Sequence, residues 1–280
     1  MAPRFLHSAL AVATGSVMAL SATMSEDAAA LLQVSAISVN ETSLKSAADP
    51  CRCLKWTDVY EDYGVLCGMG SEFSFLPVHQ QRPNLKKQMC EHFFTQFGTN
   101  YCVQEWFMSR ERTQWCYVSA ECENLDGGSY LAGTAAAWKV CDGAKGDTLL
   151  NTKGPHELFA LGIDFKMDPG YMLRMAYPVW GTTVESLHWV GVQQALGLQP
   201  PTGNVTAKSE WLEKIKDERL PWIVDSLDGL NPFGLIIGNM ILEAKYSDWF
   251  YENIHNLSYV LENEWKMTDM ECVSGCTTWH

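Results

Sequence analysis

Residues 115–122 read WCYVSAEC and place two cysteines among aromatic and β-branched residues. Such content, bounded by turn formers, predicts a short strand at 115–119. The same character extends outward to residues 54–66, where we predict further short strands and turns. The stretch around WCYVSAEC is therefore expected to fold as strands with turns.

One helix is predicted between these strands, over residues 84–97. Four apolar residues recur there at a spacing of four, which is typical of one face of an α-helix. They are Leu85, Met89, Phe93 and Phe97.

Cysteines are the most informative residue type in the chain. There are ten, an even number, and eight of them lie between residues 51 and 141. In an oxidising compartment this density indicates a disulfide framework, whose connectivity the spacing leaves open. The disulfide candidates are Cys51, Cys53, Cys67, Cys90, Cys102, Cys116, Cys122, Cys141, Cys272 and Cys276.

A zinc site is the alternative use of some of these thiols. Cys51 and Cys53 could combine with Cys272, Cys276 and His280, because thiolates and imidazole suit zinc. Neither spacing is that of a common zinc knuckle, so disulfides are favoured and we assign no metal ligand.

The N-terminus has the layout of a signal peptide, which we place at residues 1–22. A short segment with Arg4 and no acid leads into an apolar run, Ala9 to Ala22, which is too short to span a bilayer. Residues 23–50 follow as a predicted flexible stalk or pro-segment. No later run is long enough for a transmembrane segment. We therefore expect a secreted or cell-surface protein.

Three Asn-x-Ser/Thr triplets agree with secretion. Their acceptors, Asn40, Asn204 and Asn256, are the glycosylation candidates. The formal net charge of −13 argues against nucleic acid and anionic membranes as partners. It suits basic partners or weakly held cations, although a role in solubility is the favoured interpretation.

The rest of the chain predicts helices. Residues 142–155 contain many turn formers and form a predicted linker between a module at 51–141 and a helical region at 156–280. Asp168 and Pro169 are typical of an N-cap and a first helical position, in a helix that ends before Pro178.

Further helices are predicted up to the C-terminus. They are a segment opened by the capping box Thr182-x-x-Glu185 and closed by Gly197, the runs 209–220 and 221–227, and a longest run from Asn231-Pro232 to Trp265. The predicted fold class is α+β: a disulfide-rich N-terminal region with one helix and short strands, followed by a mainly α-helical C-terminal region.

Motifs for catalysis are weak. Cys67-Gly68 superficially resembles the cysteine segment of papain-like proteases, but Gly70 and Ser71 replace the residues which that family's motif requires. The histidines, His92 and His188 among them, show no ligand spacing and are interpreted as packing or surface residues. We assign no catalytic residue, no cofactor and no cofactor-binding residue.

Trp115-Cys116-Tyr117 resembles a tripeptide of kringle modules, although packing of the Trp beside a disulfide is favoured over ligand binding. The wider pattern, from Cys51-x-Cys53-Leu54-x-Trp56 to Cys122, resembles cysteine-rich secreted proteins of single-celled algae. That resemblance covers about a quarter of the chain, and it implies secretion but no activity and no site residue.

The functional hypothesis is a secreted or cell-surface, disulfide-stabilised interaction protein that binds a glycan or a protein. The lack of catalytic motifs favours binding over catalysis. A secreted hydrolase and a structural component of a wall or matrix are the alternatives. A deep pocket with convergent polar groups would favour the enzyme, and a shallow aromatic patch would favour the binding protein.

Overall fold

A computed structural model describes residues 49–75, 83–180 and 188–277, all of which lie in one compact unit, Lys45–His280. The predicted signal peptide, most of the predicted stalk, Asn40, the capping box at 182–185 and His280 lie outside the described residues. Within those residues, eight α-helices and two four-stranded antiparallel sheets form the fold.

The first sheet is built around the strand that WCYVSAEC predicts. The central strand β2 is buried along most of its length, and its neighbour β4 places Trp138 opposite Tyr117. The strand order is β1-β2-β4-β3. The strands are β1 (Val103–Gln104), β2 (Gln114–Ser119), β3 (Ser129–Tyr130) and β4 (Ala136–Val140).

Two helices, and not one, accompany this sheet. Helix α1 (Trp56–Asp62) occupies the segment predicted as strands, so that prediction is wrong. Trp56 and Val59 lie three residues apart on the buried face of α1, a spacing that a helix satisfies and a strand does not. The second helix, α2 (Pro83–Met89), continues into a π-helical turn at Cys90–Phe94, and the predicted apolar stripe buries Met89, Phe93 and Phe97.

All ten cysteines are paired in five disulfides, which confirms the predicted framework. Four bridges lie within residues 51–141 and brace the first sheet and its two helices. The fifth closes a short loop at the end of the last strand. The pairs are Cys51–Cys122, Cys53–Cys116, Cys67–Cys90, Cys102–Cys141 and Cys272–Cys276.

Helices follow the first sheet as predicted. The predicted cap is present, because Oδ1 of Asp168 accepts a hydrogen bond of 3.0 Å from the backbone N–H of Gly170. The helices are α3 (Pro155–Asp164), α4 (Pro169–Ala176), α5 (Trp189–Ala195) and α6 (Val205–Asp217).

The C-terminal region is not mainly helical, and this part of the predicted fold class is wrong. Residues 221–227 and 231–246, predicted as helices, instead supply the first three strands of a second antiparallel sheet, with the order β5-β6-β7-β8. Its strands are β5 (Trp222–Val224), β6 (Phe233–Ile237), β7 (Met240–Tyr246) and β8 (Thr268–Ser274). Helices α7 (Asp248–Asn253) and α8 (Leu257–Glu262) lie between β7 and β8.

The physical reason for this error is a two-residue turn. Gly238 and Asn239 separate β6 from β7, and Gly238 has a φ of +55°. Gly-Asn is a favoured pair for a tight β-hairpin, which a continuous helix cannot contain without loss of stability.

One cluster of buried apolar residues joins the first region, residues 51–141, to the second region, residues 156–277. Phe93 and Phe97 of the first region pack against Tyr171 and Phe165 of the second, each pair with ring centroids 5.5 Å apart. Buried residues of this cluster lie on both sides of residues 142–155. The linker predicted there stays a prediction.

Candidate functional site

A cavity of about 270 Å³ lies where the two regions meet. Its polar wall consists of Gln88 in α2, His92 in the π-helical turn, Asp168 and Tyr171 at the start of α4, and Glu264 after α8. Met89, Leu261 and Met267 supply apolar surface. We call this cavity the Glu264 pocket.

Glu264 is a buried acid with a strongly raised pKa. Its side chain is 8% exposed, and Nδ1 of His92 lies 3.1 Å from its Oε2. Burial, and then the negative charge of Asp168, raise the pKa of Glu264 to about 8. At neutral pH the carboxyl is therefore mostly protonated.

Asp168 is held by the fold. Besides capping α4, its carboxylate accepts a hydrogen bond from the Thr268 hydroxyl, which itself accepts one of 2.9 Å from Nδ2 of Asn231. Burial raises the pKa of Asp168, while the bonds from Thr268 and Gly170 oppose that shift. These contacts fix the carboxylate at the pocket wall.

Two polar atoms of the pocket are buried without a hydrogen-bond partner among the described residues. They are the Tyr171 hydroxyl oxygen and Nδ1 of His92, whose 3.1 Å contact with Glu264 lacks hydrogen-bond geometry. The Tyr171 ring is fixed by Phe93 and Phe107, with centroids at 5.5 and 5.2 Å. A buried polar group without a partner costs about 1–3 kcal/mol, so such groups on a cavity wall indicate a place for a ligand.

The groups of the Glu264 pocket share one chemical property. Carboxylate oxygens, a phenolic oxygen and an imidazole nitrogen can all accept hydrogen bonds. The raised pKa values of Asp168 and Glu264 show that negative charge at this place is poorly compensated. The arrangement can bind a cationic hydrogen-bond donor or act as an acid and base pair.

A second cavity, also of about 270 Å³, lies beside Asp225 and His188. Asp225 forms a buried ion pair of 2.8 Å with Arg174, whose guanidinium stands over the Phe233 ring at 3.9 Å. Because Arg174 already compensates the carboxylate, this cavity is the weaker candidate for a charged ligand.

The cysteines and the tryptophan singled out from the sequence lie outside both cavities. Cys67 is bonded to Cys90, so it offers no thiol for papain-like chemistry. Trp115 packs against Trp56 at 4.8 Å between centroids. The four cysteines of the zinc alternative are all oxidised, in the disulfides Cys51–Cys122, Cys53–Cys116 and Cys272–Cys276.

The sequons that the structure describes lie at helix starts. Asn204 and Asn256 are exposed, and the side-chain oxygen of each accepts a hydrogen bond from its helix, at 3.2 and 3.3 Å. The amide nitrogen that glycosylation would modify is not the capping atom, so glycosylation of either residue stays a prediction. Sequence reasoning missed the Glu264 pocket, because its acids and His92 are far apart in the chain and carry no common spacing.

No family model matches this chain, and neither does any curated protein or solved structure. Among the described residues, no helix is long and apolar enough to cross a membrane. The five disulfides are compatible with a disulfide-stabilised extracellular protein. The chemistry of the pocket is therefore argued from its own residues.

Proposed function

We propose that the chain is a secreted or cell-surface binding protein and that the Glu264 pocket takes a protonated amine attached to a small apolar body. The observation that carries the proposal is a pair of buried acceptors, Tyr171 Oη and His92 Nδ1, on the wall of one cavity, neither of which has a hydrogen-bond partner in the described part of the chain. The five disulfides support the extracellular setting.

The ligand class follows from complementarity. An ammonium group has three N–H donors and no acceptor, and it suits a wall of acceptors. Its charge compensates the carboxylates of Asp168 and Glu264, which burial otherwise penalises. Met89, Leu261 and Met267 contact the apolar body. The cavity is at the small end of ligand pockets, which suits a ligand of about amino-acid size.

Such an amine can come from two sources, a free small molecule or a lysine side chain of a protein partner. The net charge of −13 attracts either source over long range. A protein partner, as hypothesised from the sequence, would then bind by placing a lysine side chain in this pocket. The pocket offers little aromatic surface for stacking on a sugar ring, so it favours an amine over a glycan.

Proton release distinguishes this binding mode. Without ligand, Glu264 is mostly protonated at pH 7, since its pKa is about 8. A bound ammonium favours the ionised carboxylate, so binding should release a proton. Titration calorimetry in two buffers of different ionisation enthalpy measures that proton.

The test uses pentylamine and a lysine-containing peptide as probes, in calorimetry and thermal-shift assays. We expect Glu264→Gln and Asp168→Asn to weaken binding at least tenfold. Glu262→Gln is the matched control, because it makes the same Glu-to-Gln change at an exposed position two residues away. Unchanged affinity in both Glu264→Gln and Asp168→Asn, or no binding of either probe to the unmodified protein, would contradict the proposal.

A hydrolase is the second candidate, and one observation favours it. The pocket holds two carboxyls next to a histidine, and Glu264 keeps its proton at neutral pH, as a general acid must. Turnover of an ester or glycoside probe that is lost in Glu264→Gln and retained in Glu262→Gln would support hydrolysis over binding.

A further inference from the structure

Two disulfides of the first region lie in direct contact. Sγ of Cys53, which is bonded to Cys116, is 3.6 Å from Sγ of Cys102 and 3.9 Å from Sγ of Cys141. Cys102 and Cys141 form the neighbouring bridge, and all four sulfurs lie within 4.8 Å of one another. We call them the four-sulfur cluster.

The cluster is accessible from one side. Cys53, Cys102 and Cys116 are buried, whereas Cys141 is half-buried at the end of β4. A thiol from solvent therefore reaches Cys141 first.

A polar cavity of about 480 Å³ lies beside the cluster. Asp147, Lys139 and Cys51 line it, whereas the four cluster cysteines do not. Asp147 connects the cavity to the cluster, because its Oδ1 is 3.7 Å from Sγ of Cys53 and 2.8 Å from Nζ of Lys139. The charged group nearest to the sulfurs is thus the Asp147 carboxylate, which alone would disfavour a thiolate there, and the ammonium of Lys139 compensates its charge.

We propose that the four-sulfur cluster is a thiol–disulfide exchange site, at which an external thiol switches the pairing of these cysteines. The external thiolate attacks Sγ of Cys141, forms a mixed disulfide with it and releases the thiolate of Cys102. Cys102 then attacks Sγ of Cys53, at 3.6 Å in the structure, forms the Cys53–Cys102 bond and releases Cys116 as a thiolate.

The last step restores the external thiol. Cys116 attacks the mixed disulfide at Cys141, forms the Cys116–Cys141 bond and expels the external thiolate. Two disulfides are present before and after, so no net electrons are transferred and the thiol acts as a catalyst. Contact between the sulfurs of the two bridges supplies the proximity that these steps need.

The first test needs no external thiol. The substitution Cys141→Ser leaves Cys102 as a free thiol beside the Cys53–Cys116 bridge. We expect non-reducing peptide mapping, after trapping of free thiols in acid, to find a Cys53–Cys102 bond and free Cys116 in part of the molecules. The matched control is Cys122→Ser, which frees Cys51, a cysteine outside the four-sulfur cluster. We expect no new pairing in that variant.

The second test uses the unmodified protein and is decisive on its own if Cys141→Ser fails to fold. Incubation with glutathione should produce the Cys53–Cys102 and Cys116–Cys141 peptides, while Cys51–Cys122 and Cys67–Cys90 keep their pairing. Native pairs alone after incubation would overturn the proposal. Scrambling of all bridges to the same extent would also overturn it, because it would indicate unfolding and not exchange within the cluster.

Discussion

The two regions of this molecule reach similar sheets by different means. Each contains four antiparallel strands. In the first region four disulfides tie the sheet and its helices together, and the longest of them spans 71 residues. In the second, the single bridge Cys272–Cys276 spans 4 residues, and burial of apolar strands, helix caps and one buried ion pair hold the structure. Covalent bracing in one region and packing in the other should therefore respond to different perturbations.

The two regions share one hydrophobic core, so loss of that core should destabilise both of them. Phe93→Ala removes a fully buried ring that contacts Phe94, Phe97 and Tyr171. We expect a loss towards the upper end of the about 3–5 kcal/mol typical of buried Phe→Ala, in one unfolding transition. Denaturant unfolding, with hydrogen exchange of β2 and β7, measures it. Leu227→Ala, at a side chain 77% exposed, is the control. Loss of protection in β2 alone would show that the regions unfold separately.

The disulfides give the second expected effect. Removing Cys51–Cys122 by a double Cys→Ser change should cost about 4 kcal/mol in the loop-entropy model, because the closed loop is long. The same change at Cys272–Cys276 should cost about 2 kcal/mol, because that loop is short. Urea unfolding of both variants tests the difference. Equal losses would refute the assignment of covalent bracing to the first region.

The same contrast explains which parts of the fold could be predicted. The strand at β2, the disulfide framework and the helix start at Asp168 depend on local chemistry that a sequence displays. The apolar run after Asn231-Pro232 was misinterpreted because those two residues also suit the start of a helix. The pairing of β6 with β7 is tertiary, and Gly238-Asn239 was the local signal for it.

The pocket could not be predicted, because its residues meet only through the fold. His92 reaches Glu264 across more than half of the chain. Asp168 was predicted as a helix cap, and the structure adds that its carboxylate faces a cavity. Sequence reasoning found the local role of this residue and missed the one that packing creates.

The pH dependence of stability should come from the junction of the two regions. The pKa of Glu264 is raised to about 8 in the folded protein, above its ordinary value. The folded state thus binds a proton that the unfolded state releases, so this stabilisation is complete below the ordinary pKa and is lost as the pH rises towards 8. Where the unfolded and folded states differ by one full bound proton, the free energy of unfolding falls by about 1.4 kcal/mol for each pH unit.

Urea unfolding of the unmodified protein and of Glu264→Gln, at several pH values from 5 to 8, measures this contribution. The stability of the unmodified protein, measured relative to that of Glu264→Gln, should fall as the pH rises from 5 to 8, because only the unmodified protein carries the titrating carboxyl. Glu262→Gln, at an exposed position, should run parallel to the unmodified protein. A constant difference between the unmodified protein and Glu264→Gln would show that Glu264 titrates normally.

The smallest expected effect on stability concerns a helix cap in the second region. Oδ1 of Asn256 accepts a hydrogen bond of 3.3 Å from the backbone N–H of Tyr259 at the start of α8, and Leu261 at the end of that helix lines the Glu264 pocket. Asn256→Ala should cost about 1 kcal/mol. Asn256→Asp keeps the capping oxygen and removes the glycosylation acceptor, so it should leave stability nearly unchanged. Both are measured by thermal unfolding of unglycosylated protein. Equal losses in the two variants would mean that the amide nitrogen, and not the cap, supports α8.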